Sequence, residues 1–252
     1  EIVSRVKLNL EHDLYLKDHN FKGSFLFPTV FGLEAMAQAV AHLLGIDSFG
    51  ALVIENINLE RPIVVKPNGD SEIEIRAEVV KEDKELEKNS AEKVTRVKVG
   101  ITTEQTDFTV DHFSAEFVLG GKAVPEKQEL ELPQKALDIS PKEDLYGWLL
   151  FQGPLFQRMG AIYDLNSKEA LFTSVRRPGK DVFPGCFSKE KESPFILGDP
   201  FFRDSLLQSV QLSIPKDLSL PIYIEKMELL DLDSANNLEI VKSTINDLKE
   251  GV

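Results

Sequence analysis

The spacing of apolar and polar positions divides the chain into segments of two different periods. Residues 72–80 read EIEIRAEVV and residues 94–101 read VTRVKVGI, the period of two expected of strands with one buried face. Residues 108–119, FTVDHFSAEFVL, continue the alternation, so the first half predicts mostly antiparallel sheet. One stretch breaks the pattern. Between residues 29 and 44, Leu33, Met36, Ala37, Val40, Ala41 and Leu44 recur at the spacing of one helix face, and the other positions carry little charge. A helix this apolar is expected to be surrounded by sheet.

The same order recurs later. Residues 172–176 and 221–231 predict strands, and residues 200–213 predict a helix whose apolar face is Phe202, Leu206, Leu207 and Val210. Residues 121–144 collect glycine, proline and charge and predict a linker, which divides the chain into a first half at 1–120 and a second at 145–252. The run KEDKELEKNSAEK at 81–93 predicts a solvated hairpin loop. Each half thus holds one buried helix among strands. In the first helix Glu34 precedes Gln38 by four; in the second Asp204 precedes Gln208 by four. An acid and an amide one turn apart is a common pair, but one on the only clear helix of each half points to a duplicated unit.

Charge and composition narrow the chemistry. A formal net charge of -13 argues against binding a phosphate backbone, so nucleic acid is not an expected partner. No apolar run approaches the roughly 20 residues that span a bilayer, and the opening lacks the layout of a signal peptide, so no membrane and a cytoplasmic setting are expected. Cys186 is the only cysteine, which rules out an intrachain disulfide and a cysteine-built zinc site, and no metal is expected. The opening without Met suggests a piece of a longer polypeptide. Of four histidines, His12 is expected to be exposed, and His42 and His112 to be structural. His19 has unusual neighbours: Gly23, which permits a positive φ, and Pro28, which precedes a helix start whose free N–H groups, at Thr29 and Val30, are placed to polarise a carbonyl oxygen. On these residues alone, a satisfied histidine in a tight turn is the simpler reading.

His19, Gly23 and Pro28 match the HxxxGxxxxP motif, and Asp204 with Gln208 the DxxxQ motif, of dehydratase domains from polyketide and polyunsaturated fatty-acid synthases. Residues 145–157, LYGWLLFQGPLFQ, resemble the family's aromatic segment ending in GPxF, and residues 220–224, LPIYI, its LPFxW motif. The resemblance spans nearly the whole chain with its motifs in order. Two departures are Ile222 and Ile224 where aromatics are usual, and Gln152 where some relatives have histidine; neither is a catalytic position in that family.

The resemblance implies an α+β double hotdog, two antiparallel sheets each wrapped around one buried helix. It also implies dehydration of a 3-hydroxyacyl thioester to the 2,3-enoyl thioester. His19 would act as base, near an ordinary pKa of about 6.5. Asp204 would act as acid, raised by burial among Phe201, Phe202, Leu206 and Leu207, with Gln208 orienting it and Gly23, Pro28, Thr29 and Val30 contacting the substrate. No intrinsic cofactor is expected, since the phosphopantetheine arm belongs to the acyl carrier protein. That carrier, neighbouring synthase domains and a second copy of the chain are the expected partners. The wording EAMAQ at 34–38 also resembles single-hotdog dehydratases, in which Glu34 would be the acid. In such dimers, by the same resemblance, each site takes its histidine from one half and its acid from the other, so His19 is expected to face Asp204. Glu34 would then face residue Lys189, with no histidine after His112, and is expected to be a relic. A hotdog thioester hydrolase or double-bond isomerase, or a non-catalytic dimer-forming or docking module, are the alternative readings.

Overall fold

A computed structural model of the chain describes residues 1–80, 94–120, 130–177, 185–188, 195–214, 218–230 and 238–246. The charged run at 81–93, the start of the linker at 121–129 and Lys189 lie outside the described residues. In chain order the elements are β1 (Ile2–Leu8), β2 (Asn20–Phe21), β3 (Ser24–Leu26), α1 (Thr29–Leu44), β4 (Leu52–Asn58), β5 (Val64–Val65), β6 (Ser71–Val79), β7 (Thr95–Thr103), β8 (Asp111–Leu119), β9 (Met159–Leu165), β10 (Glu169–Val175), α2 (Pro200–Ser213), β11 (Tyr223–Leu229) and β12 (Leu238–Thr244).

The alternating segments form one antiparallel sheet of six strands in the order β1-β6-β7-β8-β4-β11. Alternate residues Ile73, Ile75 and Ala77 of β6 and Val97, Val99 and Ile101 of β7 turn inward, onto α1. That helix buries Val30, Phe31, Leu33, Met36, Ala37, Val40 and Ala41 and ends at Gly45, whose left-handed φ of 66° closes its last turn. A second sheet, β12-β10-β9, covers α2, and β2, β3 and β5 make a small third sheet. The two antiparallel sheets, each with its own helix, form a double hotdog, and the helices pack against each other through Phe31 and Phe201, whose rings lie 5.5 Å apart.

Three departures from the expected pattern have local causes. The alternation at 108–110 is not strand, because Asp107 and Phe108 take φ of 50° and 55° and the Phe108 N–H returns to the Thr103 carbonyl, making the turn from β7 into β8. The buried face of α2 is not the apolar one: Leu206 and Val210 are 37% and 48% exposed, whereas Asp204, Ser205, Gln208 and Ser209 point inward with Phe201 and Leu212. Two of its serines are satisfied inside, Ser205 and Ser209 donating to the Phe202 and Leu206 carbonyls and Ser205 meeting Ser174 at 2.7 Å. Finally, β11, placed by sequence order in the second half, pairs with β4 and completes the first half's sheet.

The halves are also locked at one tight seam. The Gly153 N–H donates to the Asp18 carbonyl at 2.7 Å, and the Leu155 N–H to the Asp18 carboxylate at 2.8 Å. A Cβ on Gly153 would lie 2.6 Å from the Asp18 carboxylate and 2.9 Å from its Cα, so the backbones touch only because residue 153 has no side chain. Gly153→Ala is expected to cost about 1–3 kcal/mol of stability, the usual range for overpacking, read as a lower thermal midpoint. An unchanged midpoint would show that the seam yields.

Candidate active site

His19 follows a short 3-10 turn, Leu14–Asp18, and starts a small hairpin. The hairpin turns on Lys22 and Gly23, with φ of 49° and 88°, the pair of positive values that a two-residue turn of matching twist requires. The turn brings Leu26 back beside His19, where the Leu26 N–H donates to the His19 carbonyl and His19 Nδ1 lies 3.1 Å from the Leu26 carbonyl. A carbonyl only accepts, so Nδ1 carries the proton and Nε2 keeps the lone pair. The ring is 6% exposed and lies against Phe151 and Phe156, at 4.9 and 5.3 Å. Burial pushes its pKa down from 6.5 to about 4, with the Leu26 bond opposing, so the ordinary value expected from sequence does not apply.

Across a cavity of about 60 Å³ that His19 also lines lies Asp204, 4% exposed. Its Oδ2 accepts from Gln208 Nε2 at 2.7 Å and, at a longer 3.5 Å, from Gln152 Nε2. Gln208 is held in turn: its Oε1 accepts from the Tyr146 hydroxyl at 2.9 Å, and its amide also reaches the Phe156 carbonyl at 3.2 Å. Burial raises the Tyr146 phenol well above its ordinary range, which keeps it a donor and fixes which way the Gln208 amide faces. Burial also pushes Asp204 up from 3.8 to about 6, against the two amide bonds. Of the apolar neighbours expected from sequence, Phe201 is buried and Leu207 lines the cavity, with Leu149, Leu150 and Phe151, whereas Leu206 is exposed and Phe202 only half-buried. With Oδ2 taken by amide donors and no donor on Oδ1 among the described residues, the acid's proton belongs on Oδ1.

The structure distributes the other candidate positions differently from the motif. Thr29 lines the cavity, and it also lines a second, apolar cavity of about 30 Å³ beyond His19 and Pro221. Among the described residues no acceptor takes the Thr29 or Val30 N–H, whereas Phe31 and Gly32 both donate to the Pro28 carbonyl. Val30 itself is fully buried in the core, Gly23 is exposed at its turn, and Pro28 caps the helix; none of the three lines either cavity. Tyr146, which the motif reading passed over, and Gln152, which it noted only as a departure without a catalytic role, belong to the Asp204 network. The signal for Tyr146 in the sequence was only its membership of the aromatic segment at 145–157.

Glu34 heads a matching arrangement with the opposite surroundings. Gln38 Nε2 donates to its Oε1 at 3.0 Å, the counterpart of Gln208 on Asp204. Here, however, the Ile196 and Leu197 N–H groups also bind the carboxylate, at 2.6 and 2.9 Å, and buried Arg203 lies 3.6 Å away. Backbone thus fills the position facing Glu34. His112 is likewise structural, held by Thr103 and the Pro62 carbonyl, and His12 meets Ser188 at the surface. Among the described residues no His, Cys, Asp and Glu cluster that could hold a metal ion occurs, and no helix is long and apolar enough to cross a membrane.

Residues 1–91 match the family model described as polyketide synthase dehydratase domain, and residues 123–247 that described as polyketide synthase dehydratase N-terminal domain. The chain belongs to the polyketide synthase dehydratase family. Such dehydratases are hydro-lyases acting on 3-hydroxyacyl intermediates of polyketide synthases. This dehydratase is similar in fold to the dehydratase domain from the CurF module of the curacin polyketide synthase, at 15% identity and a TM-score of 0.70 over 98% of this chain and 83% of that one. A structure bearing on dehydratase substrate selection for the borrelidin and fluvirucin polyketide synthases is similar at 20% identity, TM-score 0.66, over 97% and 79%. An inactive Asp-to-Asn mutant of the CurK dehydratase is similar at 15% identity, TM-score 0.63, over 96% and 80%. No curated protein matches this dehydratase by sequence.

The fold raises the Asp204 pKa, so the stability it contributes as a neutral acid is present below about pH 4 and is lost as pH rises through about 6. Asp204→Asn, which keeps an acceptor for Gln208, is therefore expected to be more stable than the unmodified domain at pH 8, by up to about 3 kcal/mol. The gap should close toward pH 4 in denaturant melts. Removal of Glu34 by Glu34→Ala, which leaves Arg203 buried without its carboxylate, is expected to cost about 3–5 kcal/mol; a melt unchanged by it would contradict the bracing role.

Proposed function

We propose that His19 and Asp204 are the base and acid of this dehydratase, working on a 3-hydroxyacyl chain presented by acyl carrier protein. The observation that carries the reading is that a neutral histidine with its tautomer fixed and a carboxyl whose pKa is raised by burial, each from a different half, line one cavity. His19 Nε2 takes a proton from the carbon next to the thioester. Asp204 Oδ1 gives its proton to the C3 hydroxyl, the C3–O bond breaks, and water leaves. The carbonyl oxygen sits at the start of α1, where the free N–H of Thr29 stabilises the charge that develops on it. The proton on His19 then returns to Asp204 through the released water, so that each turnover yields one enoyl thioester and one water. The inactive Asp-to-Asn mutant of the CurK dehydratase, and an inactive His-to-Phe mutant of the same enzyme, support a pair of one histidine and one aspartate.

Gln208 is the positioning residue of the acid. Pro28 sets the helix start, and Gly23 and Val30 act through the hairpin and the core instead of touching substrate. The mechanism calls on no cofactor beyond the phosphopantetheine of the carrier. Carrier proteins of this kind are usually acidic, as is this chain at -13, so charge attraction does not bring them together. Residence in one synthase polypeptide would supply the encounter, through effective concentrations of about millimolar.

Incubation with 3-hydroxyacyl thioesters on carrier protein or pantetheine, followed by mass spectrometry, is expected to show loss of one water. Release of free acid would favour a hydrolase, and no change over several chain lengths a docking module. Asp204→Asn is expected to lower turnover by at least about a hundredfold, while Glu34→Gln retains most activity in the fraction that folds; the reverse ranking would overturn the pairing. The rate at low substrate should follow a bell with an acid limb near pH 4 from His19 and a basic limb near pH 6 from Asp204. A profile flat from pH 5 to 8 would contradict the assignment of the acid.

A further inference from the structure

The cavity beside Asp204 contains one polar atom that the mechanism has not used. Three carboxamides line it: Gln152, Gln208 and Gln211. The Gln208 oxygen accepts from Tyr146, and the Gln211 oxygen accepts from the Ser219 N–H. The Gln152 oxygen is buried and has no donor among the described residues, although the residue is 8% exposed and its amide nitrogen reaches toward Asp204. An orphaned buried acceptor is costly, on the order of 1–3 kcal/mol, and is found where a partner arrives later.

Its backbone leaves little freedom to relieve this. The Gln152 carbonyl accepts from Gln157 Nε2 at 3.1 Å, and the next residue, Gly153, is pinned to Asp18. The reaction brings one suitable donor to this place. For Asp204 to protonate the C3 hydroxyl, that oxygen must lie within hydrogen-bond reach of Oδ1, and its own O–H then needs an acceptor on the same side of the cavity.

We propose that Gln152 receives the O–H of the substrate's C3 hydroxyl, so that the leaving group is oriented by two groups at once, Asp204 giving it a proton and the Gln152 carboxamide oxygen accepting one. The same contact selects substrates that carry the hydroxyl, because only they satisfy the orphaned oxygen. This rests on the dehydratase reading of the site and adds a substrate contact at a position that the motif assigned no role.

The test is binding, with turnover blocked by His19→Ala. Affinities for a 3-hydroxyacyl pantetheine and for the same acyl pantetheine lacking the hydroxyl are compared by calorimetry, with Gln152 present and with Gln152→Met. The hydroxyl is expected to tighten binding about tenfold when Gln152 is present, and this preference should fall to about twofold or less in Gln152→Met. Gln152→Glu, which keeps an acceptor, should retain it and serves if the methionine variant does not fold. A preference that survives Gln152→Met, or one absent from the protein with Gln152 intact, overturns the proposal. Failure of the dehydratase reading has a separate signature: the unmodified domain would then form no enoyl product at all.

Discussion

Keeping one carboxyl group away from water is the constraint on which the rest of this site depends. Taking Asp204 out of solvent disfavours its charged form, and the fold supplies amide donors on one oxygen only, which orients the group without forcing it to ionise. The comparison with Glu34 isolates the cause. Both acids sit on a hotdog helix with a glutamine one turn on, and in both the glutamine donates to the carboxyl. What differs is the opposite wall. Glu34 meets two backbone N–H groups and a buried guanidinium, which suit an anion; Asp204 meets a distant Gln152 amide and a cavity lined largely by apolar side chains. Two matching acid and amide pairs thus have opposite surroundings, with the division made by the facing residues.

Much of this was legible beforehand because periodicity and motif spacing report local geometry. The bounds of α1 and α2 follow from their sequences to the residue. The orientation of α2 did not, because hydrophobicity assigns the inward face to Leu206 and Val210, whereas the second sheet and cavity accept serines, an acid and an amide that satisfy one another. Polar groups that are paired inside look the same in sequence as polar groups in water. Gln152 was illegible for a related reason: its role comes from where Asp18 and Gly153 hold the loop, a contact between residues far apart in the chain. The motif positions Gly23 and Pro28 matter through the conformation they impose, and that distinction appears only once φ values and cavity walls are known.

The base side follows the same economy of means. One two-residue turn with Lys22 and Gly23 at positive φ delivers the Leu26 carbonyl to Nδ1, and that single bond decides the tautomer of His19. Phe151 and Phe156 dry the ring, and Phe156 also lends its carbonyl to Gln208 on the acid side. His19 and Asp204 therefore share a support, so a change at the 151–156 loop is transmitted to both.

The return of β11 to the edge of β4 has a consequence for how the chain is made. A chain leaving the ribosome presents β4 with one flank of unmet backbone N–H and C=O groups until Tyr223–Leu229 follows. The first half is a nearly complete sheet that waits for a strand that follows the second half's helix. Its final closure is a long-range pairing, the slow kind. Until that pairing the edge is adhesive, and separating the two halves at the linker would make its exposure permanent.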